Sequence, residues 1–360
     1  MTASGQAGDE GSGGRTHAGG PRIRVGLAGL GSMGRNHLRV LSSMADCRLA
    51  AVADPVVTAL EAAVSSSGAQ GFLEPLAMVE EADLDAIVIA APTMAHVGLA
   101  LAAIDRGIPV LVEKPLAATV DDAMRIVAAS RAKGVPVQVG HVERFNPAVL
   151  ELGRLLEAGA LSTVYAIASR RAGPFPARIR DVGVTVDLAT HDVDILSWIA
   201  GERPERVYAE LAQRLHATHE DLLFGLLHFP SGTTGMLDVN WLTPAKRRQL
   251  VVTGEEGMFE LDYLTQRLTF TKSADTLHPT LIRGFAPTFE GDVAELPVAK
   301  TEPLAAELAA FLDVVRSGAR PVVDVEDGLW AVAIANALLE AAAARAPVDL
   351  TSLASRLAIV

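Results

Sequence analysis

A single cysteine, Cys47, stands in 360 residues, so the chain has no disulfide framework and no thiolate metal cluster. Aromatics are scarce at 4%. No stretch reaches about eighteen uninterrupted apolar residues, so no transmembrane helix is expected. Positive charge is in deficit: 31 Lys and Arg against 43 Asp and Glu give a net charge of −12. That balance argues against a nucleic-acid or anionic-membrane surface, which needs clustered cations. It leaves room for a small anion held by a local group of arginines. Residues 1–21 are rich in Gly, Ser and Ala and lack the apolar core of a signal peptide. They read as a disordered tail on a cytoplasmic protein.

What is present is apolar. Half the residues are hydrophobic, ample for a packed core, and 360 residues exceed the usual single-domain size. Ordered structure is expected from Arg22. Ile23 to Ala28, Arg48 to Ala53, Asp83 to Ala91, Ile108 to Val112 and Val135 to Val139 read as buried strands. Helical stretches through His37 to Leu41, Val97 to Asp105 and Asp121 to Lys133 separate most of them. Such alternation predicts an α/β Rossmann domain over 22–143, a doubly wound parallel sheet covered on both faces. After residue 145 the pattern changes. A helix from Asn146-Pro147 to Glu157 precedes seven strand-like runs between Val164 and Thr271, with a helix over Asp187 to Ala200 among them. Pro303 to Val315 and Glu326 to Arg345 are helical again. This predicts an α+β domain over 144–345 with a large, mostly antiparallel open sheet. Residues 346–360 form a C-terminal segment.

The turn after the first strand reads Gly29-Leu30-Gly31-Ser32-Met33-Gly34. Glycines there permit a tight turn and let the backbone approach a pyrophosphate at a helix N-terminus. Asp54 follows Gly34 by twenty residues and ends the next strand. A carboxylate so placed accepts from the adenosine ribose hydroxyls. Pro55 and Val56 offer no cation for a 2′-phosphate, which favours NAD over NADP. Thr93 and His96 open the helix beside the expected nicotinamide position. Thr93 is equally a helix cap and His96 equally a structural histidine, so both readings stay open.

Glu113-Lys114-Pro115 closes an apolar strand at the sheet edge where ligands of open α/β sheets bind. A lysine there can stabilise the alkoxide that develops during hydride transfer, although a surface lysine is the plainer alternative. Downstream, Asp187 and His191 are four apart and on a helix share one face, with Asp194 extending the stripe. His191 as base and Asp187 as orienter would remove a hydroxyl proton. A solvated helical face is the alternative. His and Asp also ligate zinc, but a lysine already supplies the electrophile, so no metal is expected.

These motifs, with Gly140-His141-x-x-Arg144-Phe145-Asn146-Pro147 and Asp187-x-x-x-His191-Asp192, occur in an order that resembles the glucose–fructose oxidoreductase/inositol dehydrogenase (Gfo/Idh/MocA) family over residues 22–345. The resemblance implies NAD(P)-dependent oxidation of a sugar or cyclitol hydroxyl. It also implies Lys114, Asp187 and His191 as catalytic trio, Arg144 and Asn146 on the substrate side, and an open sheet that builds a homodimer or homotetramer. Gly140 to Pro147 and Arg170 to Gly183 are similar to the UDP-N-acetylglucosamine 3-dehydrogenase branch, which implies oxidation of the sugar C3 hydroxyl. Arg170, Arg171, Arg178 and Arg180 put four cations in eleven residues, and guanidinium forks suit a diphosphate. A solvated basic loop is the alternative. Two other functions compete: an inositol or free-sugar dehydrogenase, and a non-catalytic NAD-binding sensor.

Overall fold

The computed structural model describes residues 21–176, 182–273 and 292–351. Apart from Pro21 the expected tail lies outside them, as do Arg178, Arg180 and residues 352–360.

The first half runs β1 (Ile23–Ala28), α1 (Ser32–Ser43), β2 (Cys47–Ala53), α2 (Val57–Ser67), β3 (Gln70–Phe72), α3 (Pro75–Glu81), β4 (Ala86–Ile89), α4 (Thr93–Asp105), β5 (Val110–Glu113), α5 (Val120–Lys133) and β6 (Val137–Gly140). The strands are parallel, in the order β3-β2-β1-β4-β5-β6. Helices cover both faces, and every residue of β4, β5 and β6 is buried, which is why these runs are nearly all apolar. Strand order reverses between β1 and β4, and the crevice at that switch point is where such sheets bind ligands.

A 3-10 turn, Val142–Phe145, leads out of the first sheet. There follow α6 (Pro147–Glu157), β7 (Val164–Ala172), a π-helical turn at Thr185–Ala189, α7 (Thr190–Ala200), β8 (Arg206–Ala212), β9 (Leu222–His228), β10 (Thr234–Asn240), β11 (Arg247–Gly254), β12 (Gly257–Asp262), β13 (Arg267–Lys272), β14 (Val293–Leu296), α8 (Pro303–Ser317), α9 (Val325–Ala344) and β15 (Val348–Asp349). The strands form one sheet, β14-β13-β12-β11-β7-β10-β9-β8-β15, antiparallel except where β7 meets β10. Its inner face packs on α6, α7 and α9. Its outer face is open and leaves Phe224, Leu226 and Met236 half exposed.

The two halves are not cut cleanly at 143/144. Leu304, Leu308, Phe311 and Leu312 of α8 join the core beside β1 and β2. In α9, Leu329, Val332 and Ala333 pack on the first sheet, while Ala331, Ile334 and Leu338 pack on the second. A helical period gives the helix but does not say which core receives it. The same packing accounts for α9 itself, which is apolar and long enough to cross a bilayer yet is a wall between two cores.

Candidate active site

A cleft of about 520 Å³ opens at the carboxyl ends of β1, β4, β5 and β6 and is closed on its far side by the π turn, α7 and β11. The glycine loop forms its floor. Gly29 has φ of +93°, and a Cβ there would stand 2.6 Å from the Ala90 backbone. A Cβ on Gly34 would overlap the Gly29 carbonyl oxygen. At Gly31 a Cβ would meet nothing within 4 Å, so this position faces open space. No side chain caps α1, which begins at Ser32 and Met33, so its first N–H groups are free for an anion. The Asp54 carboxylate accepts from the Leu30 N–H at 2.6 Å and the Val56 N–H at 2.8 Å. With about four acceptor positions it retains capacity for ribose hydroxyls. The loop therefore fits NAD: it has an open glycine, a bare helix end and an acid in place.

Of the two residues read both ways, His96 is structural. Its ring nitrogens lie 2.9 Å from the Pro115 and Ala91 carbonyls, and burial holds its pKa below the ordinary value. Thr93 is in the first turn of α4, but Pro92 occupies the cap position and no side chain caps the helix. Both still line the cleft.

Glu113 is buried. Its Oε1 meets His37 Nε2 at 2.7 Å, and its Oε2 accepts the Lys114 N–H at 3.2 Å. This pair fixes the peptide from which the lysine side chain departs. Nearby in α8, Glu307 is fully buried, and among the described residues neither carboxylate oxygen has a hydrogen-bond partner. Burial, reinforced by Glu113, pushes its carboxyl well above the usual range.

Lys114 Nζ donates to the Asp187 carbonyl at 2.5 Å and lies 3.5 Å from Asp187 Oδ1. Asp187 sits in the π turn rather than in a regular helix, so the four-residue spacing to His191 is not the one-face spacing of an α-helix. The two residues nevertheless meet at the cleft with Lys114. Nδ1 of His191 is buried without a partner among the described residues. Burial first, then the Lys114 and Arg171 cations, holds its imidazole well below the ordinary pKa, so the ring is neutral and able to accept a proton.

Other expectations are corrected. Arg144 is buried and does not line the cleft. Its Nε and Nη2 donate to the Asp194 carboxylate at 2.7 and 2.8 Å, and its guanidinium stacks 5.1 Å from the Trp198 ring. Asp194 consequently points to Arg144 and does not extend the catalytic stripe. Asn146 caps α6, accepting from the Ala148 N–H at 3.1 Å and donating to the Tyr263 carbonyl at 3.2 Å. Both side chains are engaged by the framework, Arg144 by Asp194 and Asn146 by the start of α6 and Tyr263. Neighbours on β7 point to opposite faces. Arg170 therefore pairs with Asp238 on the open face at 2.9 Å, while Arg171 reaches the cleft, bound to Asp192 at 2.8 Å and Glu143 at 3.0 Å. Sequence reasoning missed His37, Glu143, Lys246 and Arg248. Each depends on strand register or helix packing that no linear motif shows.

Comparison with known proteins agrees with this geometry. Residues 23–141 match the family model of Gfo/Idh/MocA oxidoreductases, NAD-binding Rossmann fold, and residues 149–260 match that of the Gfo/Idh/MocA C-terminal domain. Inositol 2-dehydrogenase 2 of Saccharopolyspora erythraea is 30% identical over 91% of this chain and 96% of its own length. Among solved structures, a UDP-N-acetylglucosamine 3-dehydrogenase from Acidithiobacillus ferrooxidans has a TM-score of 0.80 at 23% identity, covering 90% of this chain and 98% of its own. An oxidoreductase from Agrobacterium radiobacter, solved with NAD+, L-tartaric acid and magnesium, has a TM-score of 0.80 at 20% identity, covering 92% of this chain and all of its own.

Proposed function

Since the chain belongs to the Gfo/Idh/MocA oxidoreductase family, we propose that it oxidises the C3 hydroxyl of UDP-N-acetylglucosamine, giving the 3-keto sugar nucleotide. It is an NAD-binding oxidoreductase that acts on CH–OH groups. The observation that carries the reading is the meeting of Lys114, Asp187 and His191 in one cleft with the glycine loop. Bound NAD supplies the hydride acceptor. His191, neutral because of its setting, takes the hydroxyl proton. Lys114 stabilises the negative charge growing on that oxygen, which is the largest single contribution such a site makes. Asp187 holds Lys114 through its carbonyl and carboxylate.

Basic residues on the substrate side favour a charged sugar over a neutral one. Arg178 and Arg180, which the sequence puts forward for a diphosphate, lie outside the described residues. The second reading is an inositol dehydrogenase, favoured by the 30% identity to an enzyme of that name. The apolar outer face of the large sheet, with Phe224, Leu226 and Met236, is where copies of the chain would join into a homodimer or homotetramer.

The test is turnover of UDP-N-acetylglucosamine carrying deuterium at C3, followed by the mass of the reduced cofactor. The proposal expects deuterium in the cofactor. Turnover that leaves the label on the sugar moves the reaction to another carbon. Turnover of myo-inositol but of no nucleotide sugar supports the second reading.

A further inference from the structure

The walls of the cleft are unevenly charged. Three acids line it, Glu113, Glu143 and Asp187, against four cations, Lys114, Arg171, Lys246 and Arg248. Glu113 is bound to His37, Asp187 to Lys114, and Glu143 to Arg171. Lys246 and Arg248 remain. Among the described residues neither has a carboxylate within salt-bridge reach.

Arg248 is partly buried, and among the described residues its hydrogen bonds all use Nη1, which donates to the Ala172 carbonyl at 2.8 Å and the Arg247 carbonyl at 2.7 Å. Arg248 itself lines the cleft. Its register partner across the antiparallel β11–β7 ladder is Arg171. Like charges directly opposite are unfavourable in a sheet, and here both are kept. Arg171 adds a buried Nη2 with no partner among the described residues. Burial first, then Arg171, lowers the pKa of Arg248 to about 10 against the opposing pull of Asp192, Glu143 and Asp187, so it stays a cation at neutral pH. Lys246, exposed at the mouth, stands two residues before it.

Two cations without a salt bridge among the described residues, and a guanidinium N–H without a partner among them, meet at one place and call for an oxyanion. The pyrophosphate of NAD has a cradle of its own at the start of α1, where no side chain caps the helix. We propose that Arg248 and Lys246, backed by Arg171, form a subsite for an oxyanion of the substrate, a phosphate or carboxylate group carried by the sugar. The inference rests on the dehydrogenase reading for its reacting end and reaches beyond it by naming the substrate's charge and the residues that select it. A neutral polyol would leave these donors unanswered, and a site built to bind a polar group discriminates against ligands that lack it.

The test uses the full chain loaded with NADH and three ligands: UDP-N-acetylglucosamine, glucuronate and myo-inositol. Binding is measured by calorimetry, and turnover with NAD separately. Wild type should bind one of the anionic ligands at least tenfold more tightly than myo-inositol. The preferred one says whether phosphate or carboxylate fills the subsite. Arg248→Gln should weaken that ligand at least tenfold and reduce its salt dependence, with myo-inositol shifted less than twofold. Lys246→Gln should act in the same direction by several-fold, and it decides the matter if Arg248→Gln no longer binds NADH and has therefore misfolded. Tightest binding of myo-inositol, no binding of either anion, or equal weakening of charged and neutral ligands by the variants overturns the proposal. The two readings fail separately. Selective anion binding without any NAD reduction sinks the dehydrogenase reading and keeps the subsite, whereas NAD reduction by UDP-N-acetylglucosamine whose binding both variants leave unchanged does the reverse.

Discussion

Arg144 tests most sharply whether the framework or the substrate owns a charged residue. Its guanidinium makes two hydrogen bonds to Asp194, at 2.7 and 2.8 Å, and both side chains are almost fully buried. Asp327 lies 3.8 Å away and the Trp198 ring 5.1 Å. Burial works against the ionised Asp194, but His141 and Arg144 prevail and hold its carboxyl below the usual range. Arg144→Met keeps an unbranched stem against Trp198 and removes the charge. Asp194 is then left in the interior beside His141, whose Nδ1 lies 3.9 Å away and which burial keeps neutral. Removing one partner of a buried pair costs about 3–5 kcal/mol. That is a large share of the roughly 5–15 kcal/mol that holds a domain together. Urea unfolding should show the loss as a lower midpoint at unchanged slope. Arg144→Met with Asp194→Leu should recover most of it, since apolar replacement of a whole buried pair is often neutral. The folded fraction of Arg144→Met should keep the wild-type KM. Unchanged stability with a KM raised tenfold would refute the reasoning and return Arg144 to the substrate.

Lys114→Met should lower kcat by about 10²–10³, the usual loss of one preorganised donor. Because Lys114 also helps hold His191 down, the acid limb of the kcat profile should move to higher pH in that variant; a limb that stays put would separate the two residues. In wild type that limb should lie below about 6.5, the ordinary histidine value, because the ring stays neutral until lower pH. Gly34→Ala should weaken NADH at least tenfold by fluorescence titration, since a Cβ there overlaps the Gly29 carbonyl. Stability should fall as pH drops below about 6.5. His96, His141 and His191 are held neutral by burial when folded but charge when unfolded, so the unfolded chain takes up protons first. Glu307 has the opposite sign: its raised carboxyl opposes folding at neutral pH, so Glu307→Gln should raise the melting temperature at pH about 8 and have little effect near pH 4.

Local pattern carried much of this far. Continuous apolar runs ending in Gly, Asp or Lys marked β1, β2 and β5 because parallel strands are buried on both faces, and strand-like runs punctuated by Gly and Pro marked the second sheet. The glycine loop and Lys114 were legible for the same reason: their chemistry follows from chain position at a strand end. Arg144 and Asn146 were not. A motif names the residue but not its partner, and Asp194 and Tyr263 lie fifty or more positions away. Arg248 was invisible because its meaning comes from standing opposite Arg171 across a ladder. The destination of α8 was hidden similarly, since its apolar stripe fits either core.

The central claim is that His191 is the base of an NAD-dependent oxidation in the cleft it shares with Lys114 and Asp187. It is tested most directly by pre-steady-state reduction of NAD, with UDP-N-acetylglucosamine as substrate, in wild type and His191→Gln. Wild type should produce the reduced cofactor in the first turnover. The variant should bind NADH normally but lose about 10²–10⁴ in that step, the contribution of a positioned general base. A variant that reduces NAD as fast as wild type would contradict the account.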